Sequence, residues 1–328
     1  MTDPHHSGSA GEPTTATDVE HRGPVDQDRA AAGLAGRIPA TLVLAVLAVA
    51  WLAATLWSVH GTLAGSTGIQ SISQAALALP FVVTASLVAG AAIGLLGADL
   101  LGTRVPRPLA GLAGGLVTGL VVAGLVLAGY GTTSSLIVLA AGVGAASLLG
   151  GAISALPRPA VVGAAVAGAL AWLLLGLMEG AFYSRLLKIF GAGSSTASRV
   201  DASHRLALTA AVVGGLLAGI VAYRYLRRRA RDPRWPEFLV AGAGPGLLLL
   251  VADLVALAAG TRLRALAAAS SEADRAALYW SSNVGISTAM VVLFVGAIVA
   301  TIAFGRTLGP ADAGLTAQPA EADRDQTS

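Results

Sequence analysis

The chain has 328 residues, 55% of them hydrophobic and only 12% charged, and its mean hydropathy is +0.73. A soluble domain carries about 25% charged residues, so the composition excludes an ordinary water-soluble fold and predicts a lipid-embedded one. With no cysteine, disulfides, Cys-ligated zinc, iron–sulfur clusters and thiol catalysis are excluded, and the net charge of +3 reads as membrane topology rather than affinity for nucleic acid.

In chain order, residues 1–36 come first, polar and rich in Pro, Gly, Ser and Thr. They lack a basic stretch running directly into an apolar core, so no cleavable signal is expected. Too little apolar surface is available to offset the entropy of ordering, and the composition predicts a disordered cytoplasmic tail. A span needs roughly 20 apolar residues in helix. Runs that meet this are Ile38–Val59, Ala75–Leu101, Leu109–Tyr130, Ser134–Leu156, Ala160–Phe182, Arg205–Leu226, Glu237–Ala259 and Ser282–Phe304. They are continuously apolar rather than alternating, which predicts helices and not a β-barrel. The expected fold is therefore all-α: one membrane domain of eight spans over 37–305, followed by a second disordered cytoplasmic tail over 306–328.

Orientation follows from Lys and Arg counted by side. With the N-terminus inside, 14 fall on cytoplasmic segments and 7 outside. An even number of spans then puts both termini in the cytoplasm of an inner (plasma) membrane protein. Three cytoplasmic hairpins share Pro-Arg punctuation, at 105–108, 156–159 and 232–236. Residues 95–115 resemble 148–168, the pattern either of a hairpin repeat in which spans two and three recur as four and five, or of chance in an Ala-, Gly- and Leu-rich chain. Glycine pairs at four-residue spacing, Gly90/Gly94, Gly115/Gly119, Gly176/Gly180, Gly215/Gly219 and Gly242/Gly246, predict close helix approach. Such faces also suit a homo-oligomer or a membrane-protein partner.

Catalytic signatures are scarce. Walker A, H-E-x-x-H and G-x-S-x-G patterns are all missing, and no cofactor or metal is expected. "VDASHR" (200–205) gathers Asp201, Ser203 and His204, but adjacency in sequence does not make a triad, and a solvated loop is the simpler reading. The cluster "RYLRRRARDPR" (224–234) anchors the inner end of span six. Its Arg227, Arg228, Arg229 and Arg231 are candidates for contact with anionic lipid headgroups. Without an aromatic stacking platform beside it, a nucleic-acid partner is not expected.

The acids inside the spans are the sharper candidates. Asp99 falls near the inner surface, close to Arg104 and Arg107. Asp253 lies roughly five residues past the centre of span seven, about 8 Å into the outer half. A carboxylate at such depth costs about 2.5–3.5 kcal/mol on insertion scales near a helix centre, and it normally faces protein or water. Span seven also holds "GAGPG" (242–246), whose Pro245 removes a backbone donor and suggests the interrupted helix of a transporter. Glu179 lies near the outer end of span five. With His60 and Asn283, also at outer span ends, Asp253 and Glu179 are candidate residues of a polar substrate or ion site.

Three functions compete on this reading. The first is a transport or permease-like protein with its polar site in the outer half. The second is a non-catalytic structural or assembly protein of the cell envelope, using long outer loops at 183–204 and 260–281. The third is a membrane enzyme for a lipid-linked substrate, with Arg185, Arg262 and Arg264 on phosphate. A water-filled cavity reaching Asp253 favours the first, and a dry bundle the second.

Overall fold

The computed structural model describes residues 38–63, 69–101, 104–130, 134–230, 233–261, 265 and 272–306. Both expected tails fall outside these residues, apart from Arg306. Among the described residues there are eight long helices and no strand: α1 (Ile38–Leu63), α2 (Ile69–Leu101), α3 (Arg107–Tyr130), α4 (Ser134–Ser154), α5 (Pro159–Ile189), α6 (Thr196–Arg229), α7 (Trp235–Ala259) and α8 (Glu272–Gly305). Each is long and apolar enough to cross a bilayer, so the chain is a multi-pass membrane protein. Large side chains exposed along the helices, among them Leu42, Val46, Val117, Leu120, Leu208 and Ile298, have lipid as their solvent.

The helix ends follow local chemistry. Pro159 opens α5, where a missing amide donor is harmless. α5 closes at Gly191, whose φ of 90° is left-handed, while the Ala192 amide returns to the Leu187 carbonyl at 2.9 Å. Ser195 then caps α6 by accepting from the Ser198 amide at 3.2 Å. These signals lie outside any apolar run, and they correct the expected outer loop at 183–204. Only 190–195 is non-helical there, because α5 and α6 run on past the bilayer. At 1.5 Å per residue, the 34 residues of α6 span about 51 Å, against about 30 Å of hydrocarbon. α8 likewise begins at Glu272, ten residues before the expected Ser282.

The helices pack as two halves. α4 inserts between α2 and α3, with α1 against α2; α8 inserts between α6 and α7, with α5 against both. Small residues make these insertions possible, since lipid tails are as apolar as leucine and packing must come from close approach. In the first half Gly90 of α2 meets the Ser147 backbone of α4, and Gly115 of α3 meets Gly151. In the second, Gly219 of α6 and Gly242 of α7 both meet Gly296 of α8. Four of the five expected glycine pairs are thus spent inside the chain; Gly176 and Gly180 face open space. α4 and α5 scarcely touch, whereas α2 and α3 pack closely, so the two stretches 95–115 and 148–168 join helix pairs that pack differently.

Contact between the halves is thinner. It runs mainly through α7, whose Leu248, Ala252 and Ala256 join a core to which α1 to α5 all contribute. Buried hydroxyls in the first half are satisfied on backbone: Ser86 by Val82 at 2.7 Å, Thr118 by Gly114 at 2.7 Å and Ser154 by Gly151 at 2.6 Å. Ser147 reaches across from α4 to the Ser86 carbonyl at 3.3 Å. This half carries no buried charge among the described residues.

Candidate functional site

α7 and α8 run antiparallel, and their seam reads as a ladder. Gly246 meets the backbone of Leu293, and Leu249 packs with Ala289 one turn further on. One turn beyond that, the Asp253 carboxylate lies against Gly285. A Cβ placed on Gly285 would stand 3.1 Å from Oδ2 and 3.3 Å from Oδ1 of Asp253. The glycine leaves the space that the carboxylate occupies. Asp253 is half-buried and turned to a neighbouring helix, the position expected of an acid that must avoid hydrocarbon. Gly285 was not legible as its partner, because a single glycine among 41 carries no signal of what it faces.

The other polar candidates are placed differently. Asn283 is exposed, and two residues from Gly285 it points to the other side of α8, away from Asp253. Glu179 is half-buried on the stretch of α5 beyond Leu173, where that helix has no buried residue. Counted from Pro159, it lies about 30 Å along the helix, the length of a bilayer core away from that end. α7 meets α5 through Gly244 and Pro245, which pack on Ala165 and Gly168. Gly244 precedes Asp253 by nine residues, which puts the two on opposite sides of α7. His60 belongs to α1, with its side chain outside the described residues.

The "GAGPG" segment corrects an expectation. α7 is one continuous helix through Pro245, and residues 241–246 are all buried. Gly242 and Gly246 admit α8, and Gly244 admits Ala165 of α5. The segment is a packing joint, not an unwound binding site.

At the opposite end of the bundle the arginines divide. Arg227 donates to the Tyr223 hydroxyl at 2.8 Å, and Tyr223 in turn sits 5.3 Å from the Phe238 ring, which stacks on Phe304 at 4.8 Å. Arg228 and Arg229 instead line a groove of about 320 Å³ with Arg224, Tyr225, Val221 and Ala40. Arg224 is the groove residue that the sequence reading left out of the headgroup set, although its i, i+4 spacing to Arg228 marks the shared face. Arg231 is outside the described residues. Asp99 pairs with Arg107 at 3.4 Å, and Arg158 with Glu237 at 3.5 Å. These are partly exposed pairs of the kind that contribute little.

"VDASHR" lies within α6 rather than in a loop; Ser203 donates to the Val200 carbonyl at 2.7 Å, and Asp201 and His204 are exposed. Arg185 is exposed on α5, while Arg262 and Arg264 fall outside the described residues. No group of three or more His, Asp or Glu side chains suited to a metal ion occurs among the described residues. Comparison with family models, curated proteins and solved structures finds no match.

Proposed function

We propose that this multi-pass protein is transport- or permease-like, resides in the inner (plasma) membrane with both termini cytoplasmic, and uses the α7–α8 seam at Asp253 as its polar site. One observation carries the reading: an acid within a membrane span, held against a glycine gap where two transmembrane helices meet. An ionisable group in that setting costs insertion energy and is retained where it binds a proton, a cation or a charged part of a substrate. Two densely packed halves joined by a thinner contact supply bodies that can move relative to each other. The 14-to-7 distribution of Lys and Arg supports the orientation.

The test is ion flux. Purified full-length protein is reconstituted in liposomes holding a pH dye, and a potassium diffusion potential is imposed. Wild-type protein should carry protons or a monovalent cation inward, and Asp253→Asn should remove the flux at equal incorporation. No flux for either ion in wild type favours the second reading, a structural protein of the envelope. A specific observation supports that alternative: among the described residues the first half has no buried charge, and its hydroxyls at Ser86 and Ser154 are closed on backbone.

A further inference from the structure

We infer that the groove between α1 and the arginine-rich end of α6 is a headgroup site for an anionic phospholipid. The residues form a single stripe: Val221, Arg224, Tyr225, Arg228 and Arg229 recur at i, i+3, i+4, i+7 and i+8 along α6, facing Ala40 at the start of α1. The guanidinium groups of Arg224 and Arg228 line a space of about 320 Å³, with Arg229 at its edge, and among the described residues no acidic side chain lines it. Asp99, on the adjacent end of α2, is engaged by Arg107 at 3.4 Å. Guanidinium forks match phosphate oxygens in pairs.

The groove is also built rather than incidental. Tyr225 is half-buried, with its ring seated over Gly163 of α5: a Cβ there would meet the ring and the hydroxyl at 2.7 Å. The residue that fixes the groove floor is therefore positioned by a third helix. Arg227 is excluded, because its guanidinium is bonded to Tyr223 on another face.

A lipid fits better than a free phosphate for one reason. One and two turns deeper, the same stripe continues as Leu217, 40% exposed, and Val213, 39% exposed. A headgroup held by the arginines would lay its acyl chains along these side chains. A soluble phosphate has no use for them.

The experiment is native mass spectrometry of the purified full chain, offered phosphatidylglycerol, phosphatidylcholine or inorganic phosphate. Phosphatidylglycerol should be retained over phosphatidylcholine. Arg224→Gln with Arg228→Gln should weaken that retention by about fivefold per arginine. Arg227→Gln should leave it within a factor of about two, as a side chain committed to Tyr223 would. Ala40→Leu fills the groove while keeping every arginine, and should also lower retention, so it decides the matter if the double variant fails to fold. Equal retention of both lipids, retention unchanged in Ala40→Leu, or binding of inorganic phosphate without lipid preference would each overturn the site.

Discussion

The Asp253 carboxylate rests against the bare backbone of Gly285 on the neighbouring helix, where a methyl group would stand 3.1 Å from its Oδ2. That separation is tight but not prohibitive, so the two positions should be coupled. Gly285→Ala should shift the carboxylate slightly and lower the unfolding temperature by a few degrees at most. Gly285→Leu should displace it and destabilise by about 1–3 kcal/mol. Thermal unfolding of both single variants and of each combined with Asp253→Ala measures the coupling: the Leu penalty should shrink once the carboxylate is gone.

Asp253 itself separates charge from size. Asp253→Asn keeps the shape and hydrogen-bonding capacity, and should leave abundance and melting temperature nearly unchanged. Asp253→Leu strands whatever the carboxylate bonds to, at a cost of about 1–3 kcal/mol. Quantified membrane levels and unfolding curves of the two variants check this, with Leu expected to fall well below Asn.

The glycines should respond according to what they face. Gly150 lies against the Leu87 carbonyl, and Gly90 against the Ser147 backbone, neither of which can yield as a side-chain tip would. Alanine at either position should destabilise by about 1–3 kcal/mol through overpacking. Gly176 and Gly180 meet nothing within 4 Å, so alanine there should be neutral or stabilise by up to about 1 kcal/mol through helix propensity. Thermal unfolding of the four single variants, read in one detergent, ranks them. If Gly176→Ala instead dissociates a dimer in light scattering, that open face serves self-association.

Much of the fold was legible because the spans are continuously apolar: eight runs predicted eight helices, and α3 and α7 were placed within two residues at each end. The extensions were not legible from hydropathy. α6 was expected to begin at Arg205 but starts at Thr196, because a polar helix beyond the bilayer carries no apolar signal. The Ser195 cap was the clue to its true start. The grouping into halves was hidden for a different reason. In lipid, apolar pattern does not say which faces meet, and glycine contacts decide it. "GAGPG" misled because Pro245 marks a break in the donor pattern, whereas buried neighbours on α5 and α8 accompany a helix that continues through it. For the site, Asp253 was readable as an acid within a span, and the glycine it faces was not.

Orientation can be checked without background, since the chain has no native thiol. Ser194→Cys, in the turn between α5 and α6, should react in intact cells with a membrane-impermeant maleimide. A cysteine at Ala230, at the arginine-rich end of α6, should react only after permeabilisation. The reverse pattern would turn the protein over and place the Asp253 seam in the inner half of the membrane.

The most direct measurement of the central claim is the water accessibility of position 253 in the folded protein. Asp253→Cys supplies the chain's single thiol, and its modification by a small charged methanethiosulfonate is followed in sealed, right-side-out vesicles. The seam reading predicts modification from the outer side at a rate well above that of Leu254→Cys, whose native side chain is 52% exposed to the lipid face. A cysteine at 253 that stays as inert as one at 254, in protein that melts like wild type, would contradict a polar site at the α7–α8 seam.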